Sequence, residues 1–159
     1  MKFALSVLDP EYVLLLNNDT VVDKRFLDEL VKVAESYENV GIVCPMIYYY
    51  DKPKNIQVGG AKIFWQLGTP IALNPDKIHI QIYDSEFASG AAMFIRTSIF
   101  REVGLLSSIY GIGGWEDYDI SIRTLNKGYK IKYIKLSKIW HKHFRSRKKS
   151  ISYYNMVLY

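Results

Sequence analysis

Short apolar runs alternate with helix-like segments along the chain, and this alternation limits the fold more than any other feature. The run YVLLL at residues 12–16 precedes a segment in which Phe26, Leu30 and Ala34 recur at helical spacing. Further strand-like runs are VGIVCPMIYYY, IQVGGAKIFW, IHIQIYD, GAAMFIR and YKIKYI, and further helical segments are TSIFREVG and ISIRTLNKG. Strands that alternate with helices in this way are typical of layered domains, so we predict an α/β fold.

Capping residues and glycines set the expected ends of these elements. Asp23 is expected to cap the first helix, Thr97 to cap the short second helix, and Gly104 to end it. Gly128 is expected to end the third helix, because glycine adopts the left-handed backbone that follows many helices. The glycine pair at residues 59–60 predicts a bend or a close backbone approach within IQVGGAKIFW.

Length and composition favour one domain that spans residues 1–159. With 49% hydrophobic residues the chain can build one packed core, but it is too short for two domains to be expected. No apolar run reaches the roughly 20 residues of a membrane span, and the start MKFALSVLDPEYV lacks the apolar core of a signal peptide. We therefore expect a cytoplasmic protein, either soluble or held peripherally at the inner face of the membrane.

Cysteine content and charge narrow the functional classes. The single cysteine, Cys44, excludes an intrachain disulfide and a cysteine-based metal site, and its apolar neighbours indicate a core residue. The net charge of +5 comes from HKHFRSRKKS at residues 141–150, which either is a solvated cluster or meets nucleic acid, an anionic membrane or a diphosphate. The 13 tyrosines do not interleave with lysine and arginine along the chain, so we do not expect nucleic-acid binding.

Three polar residues, Asn17, Asn18 and Asp19, end the first apolar run. Asn and Asp are common in turns because they tolerate turn geometry and bond to their own backbone. A buried strand that enters a polar turn is therefore one explanation, and a binding site at the end of the strand is the other.

The loop GIGGWEDYD places Trp115 beside the carboxylates Glu116, Asp117 and Asp119 at the start of a predicted helix. Carboxylates at this position either interact favourably with the helix dipole or serve a site. His141 follows a predicted strand and lies beside the basic cluster, although a lone histidine is more often structural than ligating.

Taken in order, four stretches of the chain resemble family two glycosyltransferases of the GT-A fold, in particular the rhamnosyltransferase-like branch. The stretches are YVLLLNNDTVVDKRFLDELV, FASGAAMFIRTSIFREVGLL, GGWEDYDISIRTLNKGYKI and KIWHKH. The resemblance spans nearly the whole chain, and its specificity lies in the combination of motifs. It implies a partial GT-A fold with a mixed sheet and flanking helices. It also implies an inverting, metal-dependent transfer of sugar from a nucleotide sugar to a glycan or lipid-linked acceptor.

In this family the opening stretch is a metal-binding motif, often written N-N-D in this branch. The resemblance implies that Asp19 is a metal ligand and that His141 completes the metal or diphosphate site. Asn17 and Asn18 would contact the donor, and Lys142 would add positive charge near the diphosphate. The ion would be Mg²⁺ or Mn²⁺, because a hard divalent cation with oxygen ligands neutralises the charge of a diphosphate leaving group.

The acceptor hydroxyl must lose a proton as it attacks the sugar, and a positioned carboxylate can accept that proton. The resemblance gives this role to Asp117 and an orienting role to Glu116, although the two roles could be exchanged. Trp115 could stack on an acceptor sugar or simply pack in the core. Ser89 and Gly90 match a segment at the edge of the donor pocket.

Three neighbouring residues have secondary roles in this interpretation. Arg145 could assist Lys142 with charge, and His143 is a weaker substitute for His141. Glu86 stands where relatives commonly have aspartate, which leaves its role open.

Relatives begin with a nucleotide-binding half that contains a strand of the VSIIIVTYN type, whereas only MKFALSVLDPE precedes the N-N-D strand here. We therefore expect the C-terminal catalytic and acceptor half of such an enzyme. A partner chain or self-association could cover the sheet edge that the other half would pair. The alternative is a non-catalytic remnant, or a sugar-binding or partner-binding module, of the same fold.

Overall fold

The structure is a computed structural model that describes residues 2–110 and 115–142. Within these ranges the strands are β1 Tyr12–Leu16, β2 Thr20–Val22, β3 Val40–Tyr49, β4 Ile56–Val58, β5 Ala61–Phe64, β6 Thr69–Ala72, β7 Ile82–Ser85, β8 Ala92–Arg96 and β9 Lys130–His141. The helices are α1 Lys2–Leu8, α2 Phe26–Ser36, α3 Thr97–Val103 and α4 Glu116–Asn126, with single 3₁₀ turns at Pro75–Lys77 and Ser108–Tyr110. In the same ranges, none of the helices has the length and apolar content needed to cross a bilayer. The predicted loop residues 111–114, His143 and Arg145 lie outside the described residues.

Seven of the described strands form one mixed sheet, and β5 pairs with β6 in a separate antiparallel hairpin. The main path of the sheet runs β1, β8, β3, β9, β2, while β4 pairs with β3 and β7 pairs with β9. β3 and β9 are parallel, and β8 is antiparallel to both β1 and β3. It follows that β1, β3 and β9 point the same way and end at the same edge of the sheet. This mixed sheet, with helices packed against it, confirms the predicted α/β fold.

The sheet is buried on both faces, as the packing of β3 shows. Its side chains alternate, so Val43 and Ile47 pack in one cluster with Leu30 of α2. Cys44 packs on the other face, in a cluster that includes Ile120 of α4. Cys44 is fully buried, and this burial raises the pKa of its thiol to about 12. The predicted core role of Cys44 is confirmed.

The two predicted N-caps are wrong. Arg25 is the N-cap residue of α2, and the Asp23 Oδ1 atom instead accepts a hydrogen bond from the Arg25 N–H at 2.9 Å. Asp23 therefore closes the turn before the helix. Arg96 is the N-cap residue of α3, and Thr97 Oγ1 is buried without a hydrogen-bond partner among the described residues. Thr97 lies one position too late to cap, because the helix has already begun.

The predicted glycine positions are confirmed. Gly104 and Gly128 have φ angles of 85° and 86°, which is the left-handed backbone that follows α3 and α4. Gly60, with a φ of 91°, turns the chain between β4 and β5. Gly59 allows a close approach, since a Cβ there would lie 2.3 Å from the Pro75 Cγ atom.

Two predicted strands differ in length from those observed. The segment IHIQIYD contributes only to Ile82–Ser85, whereas YKIKYI continues to His141. The extension of β9 contains a bulge. The register between β9 and β3 shifts between Pro45 and Met46, so residues 135–137 of β9 have no partner in β3. Before this bulge β9 pairs with β7, and after it β9 pairs with β2. The bulge therefore carries the strand on to the edge where β3 ends.

We expect Gly59→Ala to lower the free energy of unfolding by about 1–3 kcal/mol. The new methyl group would meet the Pro75 ring at 2.3 Å and the Met46 Cε atom at 2.9 Å, and the proline ring cannot rotate away. Denaturant unfolding followed by circular dichroism measures the change. Gly68→Asn is the matched control, because asparagine tolerates the φ of 63° there and no described atom lies within 4 Å of an added Cβ. Equal stability of Gly59→Ala and the wild type would show that this approach does not constrain the fold.

Candidate functional site

The residues predicted to bind the donor gather where β1, β3 and β9 end. Residues 17–19 follow β1, and His141 is the last residue of β9. β8 begins at the same edge, shortly after residues 89–90. The turn at residues 17–19 leads from β1, at one end of the main sheet path, to β2, which lies beside β9 at the other end. Ligands commonly bind at the carboxyl ends of strands in open α/β sheets, so this edge is the candidate site.

Asp19 and His141 face each other directly. The Asp19 Oδ1 and His141 Nε2 atoms are 3.1 Å apart, and their side chains are 21% and 10% exposed. Pairing of Thr20 with His141 across β2 and β9 fixes the contact, and the Lys142 N–H donates to the Asp19 carbonyl at 3.0 Å. The sheet thus brings together the two residues predicted to be metal ligands. They are called the Asp19–His141 pair below.

Asn17 and Asn18 lie on the exposed part of the same turn. The backbone of Asn17 is fixed, because its N–H donates to the Ala91 carbonyl at 3.0 Å and its own carbonyl accepts from Thr20 Oγ1 at 2.7 Å. The Asn17 Nδ2 atom is 3.4 Å from His141 Nε2. Asn17 therefore adjoins the Asp19–His141 pair, with Asn18 next to it on the surface.

Sequence reasoning missed one residue of this group, Gln57. The Gln57 Oε1 atom is 3.2 Å from His141 Nδ1, so it meets the ring nitrogen that does not face Asp19. The two residues are 84 positions apart in the chain, and the sequence around Gln57 indicated only a strand. The one local signal is its position just before the predicted glycine bend, which is where a strand ends and side chains can face a site.

The Asp19–His141 pair fits a divalent cation that has few protein ligands. It supplies one carboxylate oxygen and one imidazole nitrogen from largely buried side chains. In the described part of the chain, no cluster of three or more His, Cys, Asp or Glu side chains could hold an ion. Mg²⁺ typically takes one or two carboxylates and completes its coordination with phosphate oxygens and water. The pair therefore suits an ion that binds together with a diphosphate better than a purely structural metal.

A cavity of about 450 Å³ lies beside His141. Lys142 and Tyr50 line it, and the Lys142 Nζ atom lies 5.1 Å from the centre of the Tyr50 ring. The ring face stabilises the ammonium group by a cation–π interaction. The lysine predicted to interact with the diphosphate is thus part of the wall of the cavity next to the Asp19–His141 pair.

Asp117 connects the start of α4 with the segment before β8. Its Oδ2 atom accepts from the Gly90 N–H at 3.0 Å, and its Oδ1 atom accepts from the Tyr118 N–H at 2.8 Å. Burial raises the pKa of Asp117, the two backbone hydrogen bonds oppose this rise, and the charge of Glu116 adds to it. The net direction is upward, so Asp117 holds a proton more firmly than an ordinary aspartate.

Glu116 lines a second cavity, of about 420 Å³, at the same edge of the sheet. Asn17 and Gly90 share this cavity, and the rest of its wall is Leu14, Leu15, Leu16, Met93 and Leu106. The Glu116 Oε2 atom is buried and has no hydrogen-bond partner among the described residues. An unpaired buried carboxylate oxygen is unfavourable, so this atom would gain stability from a ligand hydroxyl that donates to it.

Trp115 and Ser89 occupy different environments. Trp115 is 58% exposed and meets Tyr118 edge-on, with 5.7 Å between the ring centres, so it is not a core residue. Ser89 is 8% exposed, its N–H donates to the Tyr133 hydroxyl at 3.3 Å, and its Oγ accepts from the Ala91 N–H at 3.4 Å. Ser89 therefore supports the turn before β8 from the inside, while the neighbouring glycine lies at the cavity.

Glu86, whose role the sequence left open, fixes the β5–β6 hairpin. Its Oε2 atom accepts from the Ile63 N–H at 2.7 Å, and its Oε1 atom lies 3.0 Å from Lys62 Nζ. Burial alone would raise the pKa of Glu86, but the Ile63 hydrogen bond and the Lys62 charge outweigh it, and the pKa is lowered. Both oxygens therefore have structural contacts.

Comparison with known proteins agrees with this geometry. Residues 12–151 match the sequence model of a family described as Glycosyl transferase family group 2. The crystal structure of GalNAc-T7 with UDP, GalNAc and Mn²⁺ is similar over 82% of this chain, with a TM-score of 0.64 and 20% identity. A197 from STIV is similar over 88% of the chain, with a TM-score of 0.56 and 15% identity.

The chain spans 27% of the length of the GalNAc-T7 chain and 62% of the A197 chain. At such low identities the likeness shows the fold alone, which is GT-A-like as predicted. No curated protein matches the chain.

We expect the difference in stability between the wild type and Asp117→Asn to depend on pH. Because the folded pKa of Asp117 is raised, the folded state binds the proton more tightly than the unfolded state. The stabilisation of the folded state by protonated Asp117 is present below the pKa of Asp117 in the unfolded chain. It is lost as pH rises through the pKa of Asp117 in the folded protein. Denaturant unfolding across the acidic range should therefore show the wild type losing stability relative to Asp117→Asn as pH rises.

Asp28→Asn, at an exposed acid early in α2, is the matched control for this titration. The opposite trend in Asp117→Asn would mean that the Gly90 and Tyr118 hydrogen bonds outweigh burial.

Proposed function

Because the chain belongs to glycosyl transferase family group 2, we propose that it transfers a sugar from a nucleotide-sugar donor to an acceptor hydroxyl, alone or within a larger protein or assembly. The observation that carries this proposal is that two groups meet at one edge of the sheet. These are the Asp19–His141 pair, and the carboxylates at the start of α4. Asn17 and Gly90 connect them, since both line the cavity that contains Glu116.

The donor is proposed to bind at the Asp19–His141 pair together with Mg²⁺ or Mn²⁺. The pair can supply two ligands, and the ion would stabilise the negative charge of the diphosphate as it leaves. Lys142 adds positive charge in the wall of the cavity beside His141, and the exposed amides of Asn17 and Asn18 can donate to donor oxygens. The structure of GalNAc-T7 contains UDP and Mn²⁺, which supports a nucleotide and a divalent ion for this fold.

Asp117 is the proposed general base. The acceptor oxygen forms a bond to the anomeric carbon while the bond from that carbon to the diphosphate oxygen breaks, and the hydroxyl proton passes to the carboxylate. Attack opposite the leaving group inverts the configuration of the sugar. The raised pKa of Asp117 supports this role, because a stronger base accepts the proton more readily. Glu116, with its buried unpaired oxygen, either orients the acceptor or takes the proton in place of Asp117.

The acceptor side is proposed to include Trp115. Its exposed ring at the start of α4 offers an apolar face on which a sugar ring can stack. The proposed acceptor is a glycan or a lipid-linked glycan, as expected of a polysaccharide-building enzyme of the rhamnosyltransferase-like branch. A lipid-linked acceptor would bring the chain to a membrane, where residues 141–150 could meet anionic headgroups.

β1 is proposed as the site of a further interaction. It lies at one end of the main sheet path, with β8 as its neighbour. A strand in this position has backbone groups that can pair with another strand. A partner chain, a second copy or another part of a longer protein would pair here and contribute to nucleotide binding.

A second candidate function is a sugar-binding or partner-binding module of the same fold, without turnover. The observation that favours it is the use of both Asp117 oxygens in backbone hydrogen bonds. This gives the carboxylate a structural role that does not require catalysis. Such a module would bind donor or acceptor and transfer no sugar.

We expect Asp19→Ala to abolish most of the Mn²⁺-dependent binding of nucleoside diphosphates, because it removes the carboxylate of the Asp19–His141 pair. Calorimetric titration of the purified chain with Mn²⁺ and a panel of nucleoside diphosphates measures this. Asp23→Ala, which removes a carboxylate just after β2, is the control. Unchanged Mn²⁺-dependent binding in Asp19→Ala would show that the metal site is assigned to the wrong residue.

In a preparation that transfers sugar, Asp117→Asn should lower kcat by about 10²–10⁴-fold and leave donor binding nearly intact. The amide cannot accept the proton, although its oxygen can still accept from the Gly90 N–H. Glu116→Gln should act more mildly, or mainly raise the KM for the acceptor. A radiolabelled-sugar transfer assay gives both constants.

A reversed ranking of the two variants would assign the base role to Glu116. No loss from either change would contradict the inverting mechanism at this loop. A folded wild type that binds donor but transfers no sugar in any assembly would favour the binding module.

A further inference from the structure

We propose that Gln57 is a positioning residue for His141. Its side-chain oxygen holds the N–H at Nδ1 of the imidazole, so that Nε2 carries the lone pair that binds the metal. This inference deepens the proposed function, since it rests on a metal at the Asp19–His141 pair. No motif in the sequence gives Gln57 a role.

The geometry places an oxygen at each nitrogen of the imidazole. Gln57 Oε1 is 3.2 Å from Nδ1, and Asp19 Oδ1 is 3.1 Å from Nε2. The side chain of His141 is 10% exposed, so water has little access to replace either partner. The orientation of the ring is therefore set by the residues around it.

Imidazole chemistry gives the Gln57 contact its function. A neutral imidazole has one N–H, and only the other nitrogen can bind a metal. If Asp19 and Nε2 share an ion, the proton is on Nδ1, and a largely buried N–H without an acceptor is unfavourable. Gln57 supplies that acceptor. Histidine ligands commonly donate their second ring N–H in this way, which fixes both the tautomer and the plane of the ring.

Gln57 is itself held in place by the fold. It is the central residue of β4, and its neighbours Ile56 and Val58 both pair with β3. The bend after β4 is closed by the Tyr83 hydroxyl, which donates to the Gly59 carbonyl at 2.7 Å. A side chain on a strand that is fixed at both ends is positioned more precisely than a side chain on a loop.

Metal affinity tests this role. Gln57→Met keeps the length of the side chain but lacks the acceptor oxygen, and it should weaken Mn²⁺ binding by about 10–100-fold. Gln57→Glu keeps an acceptor oxygen and should bind Mn²⁺ at least as tightly as the wild type. Gln81→Met makes the same change at an exposed glutamine just before β7 and is the matched control.

The probe is Mn²⁺ alone, with the free ion measured by electron paramagnetic resonance during titration of each protein. At saturation, nitrogen modulation in the spin-echo spectrum of bound Mn²⁺ reports whether the imidazole of His141 still coordinates. We expect this modulation in the wild type and in Gln57→Glu, and a weaker modulation in Gln57→Met. A thermal melt of each variant separates a loss of affinity from a loss of folding.

Equal affinity in Gln57→Met and the wild type, or a loss that Gln57→Glu does not restore, would overturn the role of Gln57. If Asp19→Ala loses Mn²⁺ binding while Gln57→Met retains it, only the role of Gln57 fails and the proposed metal site stands. A wild-type chain that binds no Mn²⁺ would overturn the metal site and the role of Gln57 together.

Discussion

The parallel pairing of β3 with β9 is the interaction on which the candidate site depends. β3 is packed on both faces, and β9 runs beside it from Lys130 to His141. Because the two strands are parallel, they deliver their carboxyl ends to one edge of the sheet, and β1 ends at the same edge. The Asp19–His141 pair is thus fixed by backbone pairing, because β2 pairs with β9 next to both residues. Little of its geometry depends on a free loop.

The bulge in β9 decides which way His141 points. Side chains alternate along a regular strand, so residues five apart face opposite sides of a sheet. Ile134 and Ile139 nevertheless pack in the same cluster, on the face covered by α2. Residues 135–137 have no partner in β3, and these three extra residues reverse the alternation of side chains after them. One of them, Ser137, donates from Oγ to the Phe26 carbonyl at 2.8 Å. In a regular strand His141 would face the other side of the sheet and would miss Asp19.

Sequence reasoning succeeded where the physical signal was local. Tyr12–Leu16 has the predicted bounds, and Gly104 and Gly128 end their helices, because apolar runs and left-handed glycines are set by neighbouring residues. It failed for Thr97, whose residue type is typical of N-caps but which is buried in the first turn of α3. It also failed for Gln57, whose contact with His141 depends on strand register and on a bulge. Even Asp19 and His141 were predicted by family resemblance, since nothing in their spacing indicates that they touch.

Asp117 has a structural role that bears on the chemistry proposed for it. Its bond to the Gly90 N–H joins the start of α4 to the segment before β8, and a Cβ at Gly90 would come within 3.4 Å of the Asp117 side chain. A carboxylate accepts hydrogen bonds more strongly when it is ionised. In the proposed mechanism, accepting a proton would therefore loosen this link, and recovery of the link would favour release of the proton after transfer. Glu116 Oε2 has no hydrogen-bond partner among the described residues, so it forms no comparable link. The two carboxylates thus differ in their ties to the fold, and this difference supports the separate roles proposed for them.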